Sequence, residues 1–334
     1  MSGISRRGVM AGVVSLAVAG CGQASTPDFS YKLGTNLALS HPLNVRIIEA
    51  TNRIRESTNG ALSIQVFPSS QLGADPGMLG QLRADAIQFQ AIAGVILSMY
   101  TPLSSLNGIG FAFSSDEQVF TAMDGKLGAL IRASIASKGL YAFEKVFDNG
   151  FRHITTSARP IHEPPDLAQL KIRVPPGALW TSTFRAFKAA PTSISFNETY
   201  SALQTRVVDG QENPLAVIDS AKLYEVQKYC CLSNHMWDGF WLISNAGAME
   251  RLPVGIQNIV KLEFERAALE QRQDLAALNK KLRENLAARG MEFNEPEPTA
   301  FRRALRESGF YTEWKAAFGP EAWATLEEYS GSLL

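Results

Sequence analysis

Two arginines stand where the chain could hold an anion. Arg173 ends a predicted strand in Leu170–Pro175 (LKIRVP), and Arg152 follows Asn149–Phe151, where the secondary-structure pattern restarts. In α/β folds, ligands bind at the carboxyl ends of strands. A guanidinium group grips a carboxylate bidentately and keeps its charge at any ordinary pH. The two residues therefore indicate a site for an organic acid, although each one taken alone also fits a surface salt bridge.

Motifs for bond-making chemistry are missing from the sequence. There is no G-x-S-x-G elbow, no H-E-x-x-H, no C-x-x-C and no P-loop, and Gly108–Gly110 lacks the third glycine of a dinucleotide-binding turn. The histidines are His41, His153, His162 and His235, and none is four residues from another. We therefore expect a binding protein and not an enzyme, with no cofactor and no metal.

The charge balance excludes an electrostatic nucleic-acid binder. The 32 Lys+Arg equal the 32 Asp+Glu, so no basic excess is present to displace counterions from phosphate. A length of 334 residues predicts two domains at roughly 100–200 residues each. A hydrophobic content of 46% is sufficient for two packed cores.

Residues 1–20 are predicted to be an export signal and not part of the fold. Arg6-Arg7 precede the uncharged apolar run GVMAGVVSLAVAG. Ser5-Arg6-Arg7 is similar to a twin-arginine signature, and Val18–Cys21 resembles a lipobox, in which Cys21 would become lipidated. An ordinary signal peptide with a coincidental cysteine is the alternative. The mature protein is expected in the periplasm, in contact with the membrane only through a lipid on Cys21.

Short strand-like runs alternate with longer helical patterns along the chain. This rhythm predicts an α/β fold with largely parallel sheets. A capping-box spacing at Ser115 predicts one helix that extends to about Lys138, followed by a strand at Leu140–Phe147. Cys230 and Cys231 are predicted to be small buried residues of a strand, because neighbouring cysteines cannot form an ordinary disulfide.

A long uninterrupted helix is predicted near the C-terminal end. Between Val254 and Arg289 the sequence contains no proline and, after Gly255, no glycine, and Gly290 follows as a stop. Such a helix would span roughly 50 Å, which is longer than one small domain. We expect it to brace both halves of the protein, with two helices and an unmarked break as the alternative.

Several runs of the sequence carry a family resemblance. The specific ones are Leu170–Pro175 (LKIRVP) and Ser195–Pro214 (SFNETYSALQTRVVDGQENP). The shorter ones are Lys32–Asn36 (KLGTN), Phe67–Gly73 (FPSSQLG), Asn149–Ser157 (NGFRHITTS), Tyr224–Lys228 (YEVQK) and Ser233–His235 (SNH). On these motifs the chain resembles the solute-binding proteins of TRAP (tripartite ATP-independent periplasmic) transporters, of the C4-dicarboxylate-binding, or DctP, type.

The resemblance implies a two-lobed α/β fold like that of periplasmic binding proteins, with crossing strands and a long bracing helix, which closes on an organic acid. The first lobe would comprise residues 29–149 and about 238–285, and the second lobe residues 150–237 and about 286–334. Hinges are expected near Asn149–Gly150 and Trp237–Gly239, where the chain would cross between lobes.

The resemblance also implies roles for eight residues. Arg173 would hold the ligand carboxylate as a bidentate ion pair, Arg152 would assist it, and Asn213 would donate a hydrogen bond. The remaining residues expected to line or cover the cleft are Asn36, Phe196, Trp180, Trp237 and His235. Three alternatives stay open: Asn213 as a helix cap, Phe196 as core, and Trp237 as packing between the lobes.

The expected ligand is a small organic acid. Similar sugar-acid binders present an acidic side chain where this sequence has Ala93-Gly94, which argues against sialic-acid-like ligands. Aromatic candidates in the cleft favour a monocarboxylate, such as a 2-oxo, 2-hydroxy or aromatic acid. The implied partner is an ion-gradient-driven membrane permease. A ligand-sensing receptor subunit and a periplasmic enzyme on the same scaffold are the alternatives.

Overall fold

A computed structural model of the protein describes residues 27–334. The predicted export signal and Cys21 lie outside these residues. The strands are β1 (Phe29–Gly34), β2 (Leu62–Phe67), β3 (Phe89–Ala93), β4 (Leu140–Ala142), β5 (Phe147–Phe151), β6 (His153–Thr156), β7 (Lys171–Val174), β8 (Ala190–Ser193), β9 (Gly210–Asn213), β10 (Tyr229–Cys231), β11 (Trp237–Asn245) and β12 (Glu292–Asn294).

The helices follow the same chain order. They are α1 (Pro42–Ser57), α2 (Asp75–Arg83), α3 (Gly94–Leu97), α4 (Asp116–Met123), α5 (Lys126–Ala136), α6 (Ala178–Ala186), α7 (Phe196–Gln204), α8 (Leu215–Ser220), α9 (Ala246–Glu250), α10 (Val254–Ala288), α11 (Pro298–Glu307), α12 (Phe310–Phe318) and α13 (Pro320–Ser330). Within the described part of the chain, no helix combines the length and apolar character needed to cross a membrane.

Residues 27–334 contain two mixed sheets, each with six strands. In the first sheet, of lobe I, the order is β2-β1-β3-β11-β4, and β5 also pairs with β11. In the second sheet, of lobe II, the order is β12-β10-β6-β9-β7-β8. The α/β prediction agrees with this arrangement, but the sheets are mixed and not largely parallel. In the first sheet β11 is antiparallel to β3, β4 and β5, and in the second sheet β6 is antiparallel to β9 and β10.

The first helix shows how local sequence sets these elements. The ring Nδ1 of His41 accepts from the backbone N–H of Leu43 at 3.2 Å and so caps the helix start. Pro42 occupies the first turn, where its missing N–H is harmless. Leu43, Ile47 and Ile54 recur at helical spacing and are fully buried, so α1 covers one face of the first sheet.

The chain crosses between the lobes at the two places expected. β5 of the first sheet and β6 of the second are separated by Arg152 alone. On the return, β10 of the second sheet leads through five residues into β11 of the first. β5 and β11 pair with each other, and their register shifts between Asp238 and Gly239. Bending at Asn149–Gly150 and Trp237–Gly239 stays a prediction.

Helix α10 confirms the expected brace. It is continuous over 35 residues and contacts α1 and β5 of lobe I and α8 of lobe II. Phe264 packs in the core of lobe I, whereas Leu282 and Leu286 belong to a separate core beneath the second sheet. Ion pairs also join α10 to α1, since the guanidinium Nε of Arg46 on α1 lies 2.5 Å from Asp274 Oδ2 on α10.

The C-terminal helices do not follow the expected division into lobes. α11 and α12 contact α6 of lobe II, but α13 contacts α4 and α5 of lobe I. Gln118 Nε2 donates to the carbonyl of Tyr329 at 2.6 Å, and Lys126 Nζ lies 2.9 Å from Glu328 Oε2. The assignment of residues 286–334 to lobe II stays a prediction, and the contacts of α13 with lobe I join distant chain segments, which leave no local signal in the sequence.

The helix predicted from Ser115 to Lys138 is two helices. The break is at Gly125, whose extended backbone (φ −103°, ψ −147°) ends the first helical run. A Cβ at this position would lie 2.7 Å from the Thr121 carbonyl oxygen and 2.7 Å from the Tyr329 hydroxyl. The tight packing of α13 thus requires glycine here. By contrast, Cys230 and Cys231 are buried free thiols of β10, as predicted.

Replacing Leu282 by Ala tests the contact of the brace with lobe II. Leu282 is 1% exposed, so we expect the free energy of unfolding to fall by about 2–5 kcal/mol. Leu262, on the same helix, is 65% exposed, and its change to Ala should stay within about 0.5 kcal/mol. Urea unfolding measures both. Equal losses for the two variants would contradict the bracing role of α10.

Candidate functional site

A small cavity lies between the lobes, lined from β7 and β9 of lobe II and from β3 and β11 of lobe I. The space between its wall atoms is about 310 Å³, part of it open to solvent, and the room for water-sized groups is about 20 Å³. Of the eight predicted site residues, those that line it are Asn36, Arg152, Arg173, Trp180, Phe196 and Asn213. A larger groove of about 1160 Å³ lies between α6 and α12, but it opens to solvent beside the exposed Arg185 and Glu313. The buried cavity is therefore the candidate ligand site.

Arg173 brings a buried positive charge to this cavity. It is the third residue of β7 and is 1% exposed. Its Nε donates to the carbonyl of Ile194 at 2.9 Å, whereas its Nη1 has no hydrogen-bond partner among residues 27–334. Burial lowers the pKa of Arg173 to about 9, against the opposing attraction of Glu212, so the group stays cationic at neutral pH. Within the described residues, the cationic guanidinium of Arg173 therefore has one donor, Nη1, that is available to an anion.

Arg152 differs because its charge is already compensated. Its Nη2 donates to Glu212 Oε1 at 2.8 Å, and its Nε lies 2.5 Å from Glu212 Oε2. Its Nη1 donates to Asp238 Oδ2 at 3.0 Å. Burial alone would raise the pKa of Glu212, but Arg152 holds that pKa below its ordinary value. Arg152 lines the cavity as expected, yet most of its donors serve the protein itself.

Trp237 and His235 are not brought to the cavity. Trp237 Nε1 donates to Asp148 Oδ1 at 3.0 Å, and its ring packs edge-on against Phe120. His235 lies behind Arg152, with Ser233 Oγ 2.8 Å from its Nδ1 and Glu212 Oε2 3.3 Å from its Nε2. Neither side chain lines the cavity in this structure, because both bond to polar partners within the protein, and their expected role in walling the site stays a prediction. The contacts of Trp237 fit the packing alternative.

The other predicted residues occupy the cavity wall. Asn213 Oδ1 accepts from Arg152 Nη2 at 3.1 Å, and α8 begins without a side-chain cap, so the capping alternative does not apply. Asn36 Nδ2 donates to Asp75 Oδ2 at 2.6 Å. Trp180 is fully buried, and its ring lies 4.9 Å from the Arg152 guanidinium carbon. Phe196 is half-buried, with the Arg173 guanidinium carbon 5.9 Å from its ring centre.

Three buried carboxyl groups beside the cavity were not predicted. Glu212 and Asp238 compensate Arg152, and Asp75 bonds to Asn36. Burial raises the pKa of Asp75 to about 6 and that of Asp238 to about 6, in each case against a nearby arginine. Glu212 was inside the specific run DGQENP, and Asp238 stands in the apolar stretch WDGF. An acid within an otherwise buried strand was the signal available.

The unpaired polar atoms of the site are divided by type between its two sides. Among residues 27–334, the buried atoms without a hydrogen-bond partner include the donors Arg173 Nη1 and Trp180 Nε1 from lobe II. The unpaired acceptors on the other side are Asn36 Oδ1, Asn149 Oδ1 and Asp238 Oδ1. A carboxylate suits the donor side, and hydroxyl groups suit the acceptor side. Within the described residues, no cluster of three or more His, Cys, Asp or Glu could hold a metal ion.

Comparison with known proteins decides the family. The sequence model of bacterial extracellular solute-binding protein family 7 (DctP) matches residues 33–312. The chain belongs to this family. Its members are substrate-binding proteins of transport and not enzymes, so the expectation of a non-enzymatic, extracytoplasmic DctP-type protein is confirmed.

Relatives and a solved structure agree with the family. The 2,3-diketo-L-gulonate-binding periplasmic protein YiaO of Escherichia coli is 28% identical, with 87% of this chain and 90% of that protein covered. An uncharacterized protein, y4mM, of Sinorhizobium fredii is 34% identical over 72% of this chain, and the chain spans 46% of its length. A TRAP periplasmic solute binding protein from Polaromonas sp. JS666, bound to D-erythronate, is 27% identical with a TM-score of 0.86, covering 91% of this chain and 100% of that chain. The predicted two-lobed fold is confirmed.

Replacing Arg152 by Gln tests whether it is a structural charge. Glu212 and Asp238 would stay buried without their cation, so we expect a loss of about 3–5 kcal/mol in unfolding free energy. Arg283 pairs with Glu295 on the surface, and Arg283→Gln should lose at most about 1 kcal/mol. Thermal and urea unfolding give both values. If the Arg152 variant were as stable as the Arg283 variant, the ion-pair network would not support the fold.

Proposed function

We propose that this DctP-family protein captures a small organic acid between its lobes through the guanidinium of Arg173. The observation that carries the proposal is a buried arginine whose Nη1 has no partner among the described residues, at the wall of the interlobe cavity. A buried guanidinium without a directly bonded anion is unfavourable, and a ligand carboxylate would pair with it. Charge-assisted hydrogen bonds of this kind contribute about 1.5–3 kcal/mol each.

A hydroxylated monocarboxylate fits the site best. Arg173 supplies one charge for one carboxylate, since Arg152 is compensated by Glu212 and Asp238. The unpaired acceptors on the far side favour hydroxyl groups at the other end of the ligand. The ligands of two similar proteins, 2,3-diketo-L-gulonate and D-erythronate, are monocarboxylates with hydroxyl groups. A 2-hydroxy or 2-oxo acid therefore remains the proposal, and a purely apolar aromatic acid is less compatible with the acceptors.

The ligand would act by shifting the lobes toward the closed state. In this structure Arg173 of lobe II and Asn36 of lobe I line the same cavity, so one ligand would contact both lobes at once. A ligand that binds this state more tightly shifts the population toward it by the difference in affinity. The closed, loaded form is the one we propose is offered to the TRAP permease in the membrane.

Arg173→Ala should abolish the binding of organic acids. Removing one partner of a buried charged pair costs about 2–5 kcal/mol, so affinity should fall roughly 30-fold or more. Isothermal calorimetry with D-erythronate, L-galactonate and succinate measures the loss and identifies the preferred class. Arg185→Ala, on the exposed face of α6, is the matched control and should keep wild-type affinity.

The unliganded Arg173→Ala protein should melt near the wild-type temperature, because a buried charge without a direct ion-pair partner is removed. Unchanged affinity in Arg173→Ala would contradict the assignment of Arg173 as the carboxylate-binding residue.

We further propose that export ends with a lipid on Cys21. The support is the lipobox-like Val18–Cys21 after the apolar run, which predicts that the mature chain begins at the cysteine. The intact mass of protein from the native membrane fraction should correspond to residues 21–334 plus a diacylglyceryl group. Cys21→Ser should move the protein into the soluble fraction with its ligand affinity unchanged. An unmodified chain that begins elsewhere would contradict the proposal.

A further inference from the structure

Asp75 is an isolated buried carboxyl group next to the cavity. It begins α2 and is 4% exposed. Its Oδ2 accepts from Asn36 Nδ2 at 2.6 Å, whereas its Oδ1 has no hydrogen-bond partner in residues 27–334. Gln90 Nε2 donates to the backbone carbonyl of Asp75 at 3.1 Å. Asn36 lines the cavity, so Asp75 reaches the ligand site through one amide side chain.

The charged groups that face Asp75 come from two elements. Arg173 attracts it from β7 of lobe II, and Asp238 repels it from β11 of lobe I. Asn36 and Gln90, its direct neighbours, are uncharged. Arg152 is held by Glu212 and Asp238, so Arg173 is the cation left to balance Asp75.

A bound carboxylate would remove that balance. It neutralises Arg173 and adds a second negative charge to the same water-poor space. Two carboxylates sharing a site cannot both stay ionised without a strong shift of one pKa. A proton on Asp75 would relieve the repulsion and supply an O–H donor, and the residues that already bond to Asp75 carry unpaired acceptors, Asn36 Oδ1 and Gln90 Oε1.

We propose that Asp75 takes up a proton when the ligand carboxylate pairs with Arg173, so that the cleft closes on one anion together with one proton. This inference rests on the proposed function and adds its proton linkage. Asp75 is then a positioning residue that determines which net charge the cleft accepts on its ligand. A monoanion plus a proton makes Arg173, Asp75 and the ligand carboxylate neutral together, whereas a dianion would add a second negative charge near Asp75.

The sign of the pH dependence of ligand affinity follows from the pKa of Asp75 in the empty and in the loaded protein. Burial raises the pKa of Asp75 to about 6 in the empty cleft, and the ligand raises it further. Proton uptake is therefore expected in the window above pH 6, where the empty protein is ionised and the loaded protein is not. Affinity is highest below this window and falls as the pH rises, by up to about tenfold per pH unit.

Calorimetry in buffers of different ionisation enthalpy counts the protons directly. With D-erythronate at pH 7, the wild-type protein should take up roughly 0.5–0.9 proton per ligand. Asp75→Asn keeps an acceptor for Asn36 and should bind the acid without proton uptake and with a flat pH profile. Asp148→Asn is the matched control, since Asp148 is another buried carboxyl group with a pKa raised to about 7, and it lies outside the cavity lining. This variant should keep the wild-type proton count.

Two results would overturn the inference and leave the proposed function standing. One is wild-type binding with no net proton uptake across pH 6–8, and the other is uptake that persists in Asp75→Asn and disappears in Asp238→Asn. If Asp75→Asn does not fold, infrared difference spectra of the wild-type protein decide the question, since loading should create a protonated-carboxyl band. Failure of the proposed function is separate: no organic acid would bind, or Arg173→Ala would bind as well as wild type.

Discussion

The cleft holds two buried guanidinium groups, and within the described residues only one of them is in direct contact with carboxylates of the protein. Arg152 has Glu212 and Asp238 within 3.0 Å, whereas Arg173 has a carbonyl at 2.9 Å and an unpaired Nη1 within the described residues. Closing water out of such a cavity is unfavourable while Arg173 lacks an anion. On the proposed function, the ligand carboxylate would supply that anion. Binding and closure would then form one equilibrium, because the ligand would remove the penalty for closing the cleft empty.

The network around Arg152 joins the site to the crossings between lobes. Arg152 stands between β5 and β6, its partner Glu212 is on β9, and Asp238 opens the return strand β11 beside a register shift. Behind it, Asp148 receives the Trp237 indole, and its backbone groups bond to Gln271 of α10. The two acids that compensate the structural arginine therefore come from different sheets, Glu212 from the second and Asp238 from the first.

Part of this fold could be predicted from sequence because it depends on local physics. Helix α10 was predictable over nearly its full length, because the lack of helix-breaking glycine and proline is a property of the local sequence. The break at Gly125 was not, because one glycine in a helical pattern is tolerated unless another segment presses on it. Here α13 does so, 200 residues later in the sequence, with the Tyr329 hydroxyl against that backbone. The mixed sheets were missed for the same reason: the pairing of β11 is a long-range choice.

The features of the site also divide into those that local sequence predicts and those that depend on long-range pairing. Arg173 was predictable from its place at a strand end, and the family motif supplied most of the other wall residues. Yet the sequence, which favoured Arg173 as the carboxylate holder with Arg152 assisting it, did not show that Arg152 is already paired with acids of the protein. What separates them is strand register: β6 pairs with β9 so that His153 lies opposite Asn213, which puts Glu212 within reach of Arg152. Side-chain type cannot state which arginine has a carboxylate neighbour. In a cleft of this kind, the unneutralised charge marks the ligand site, and only the spatial arrangement of the acids shows which charge that is.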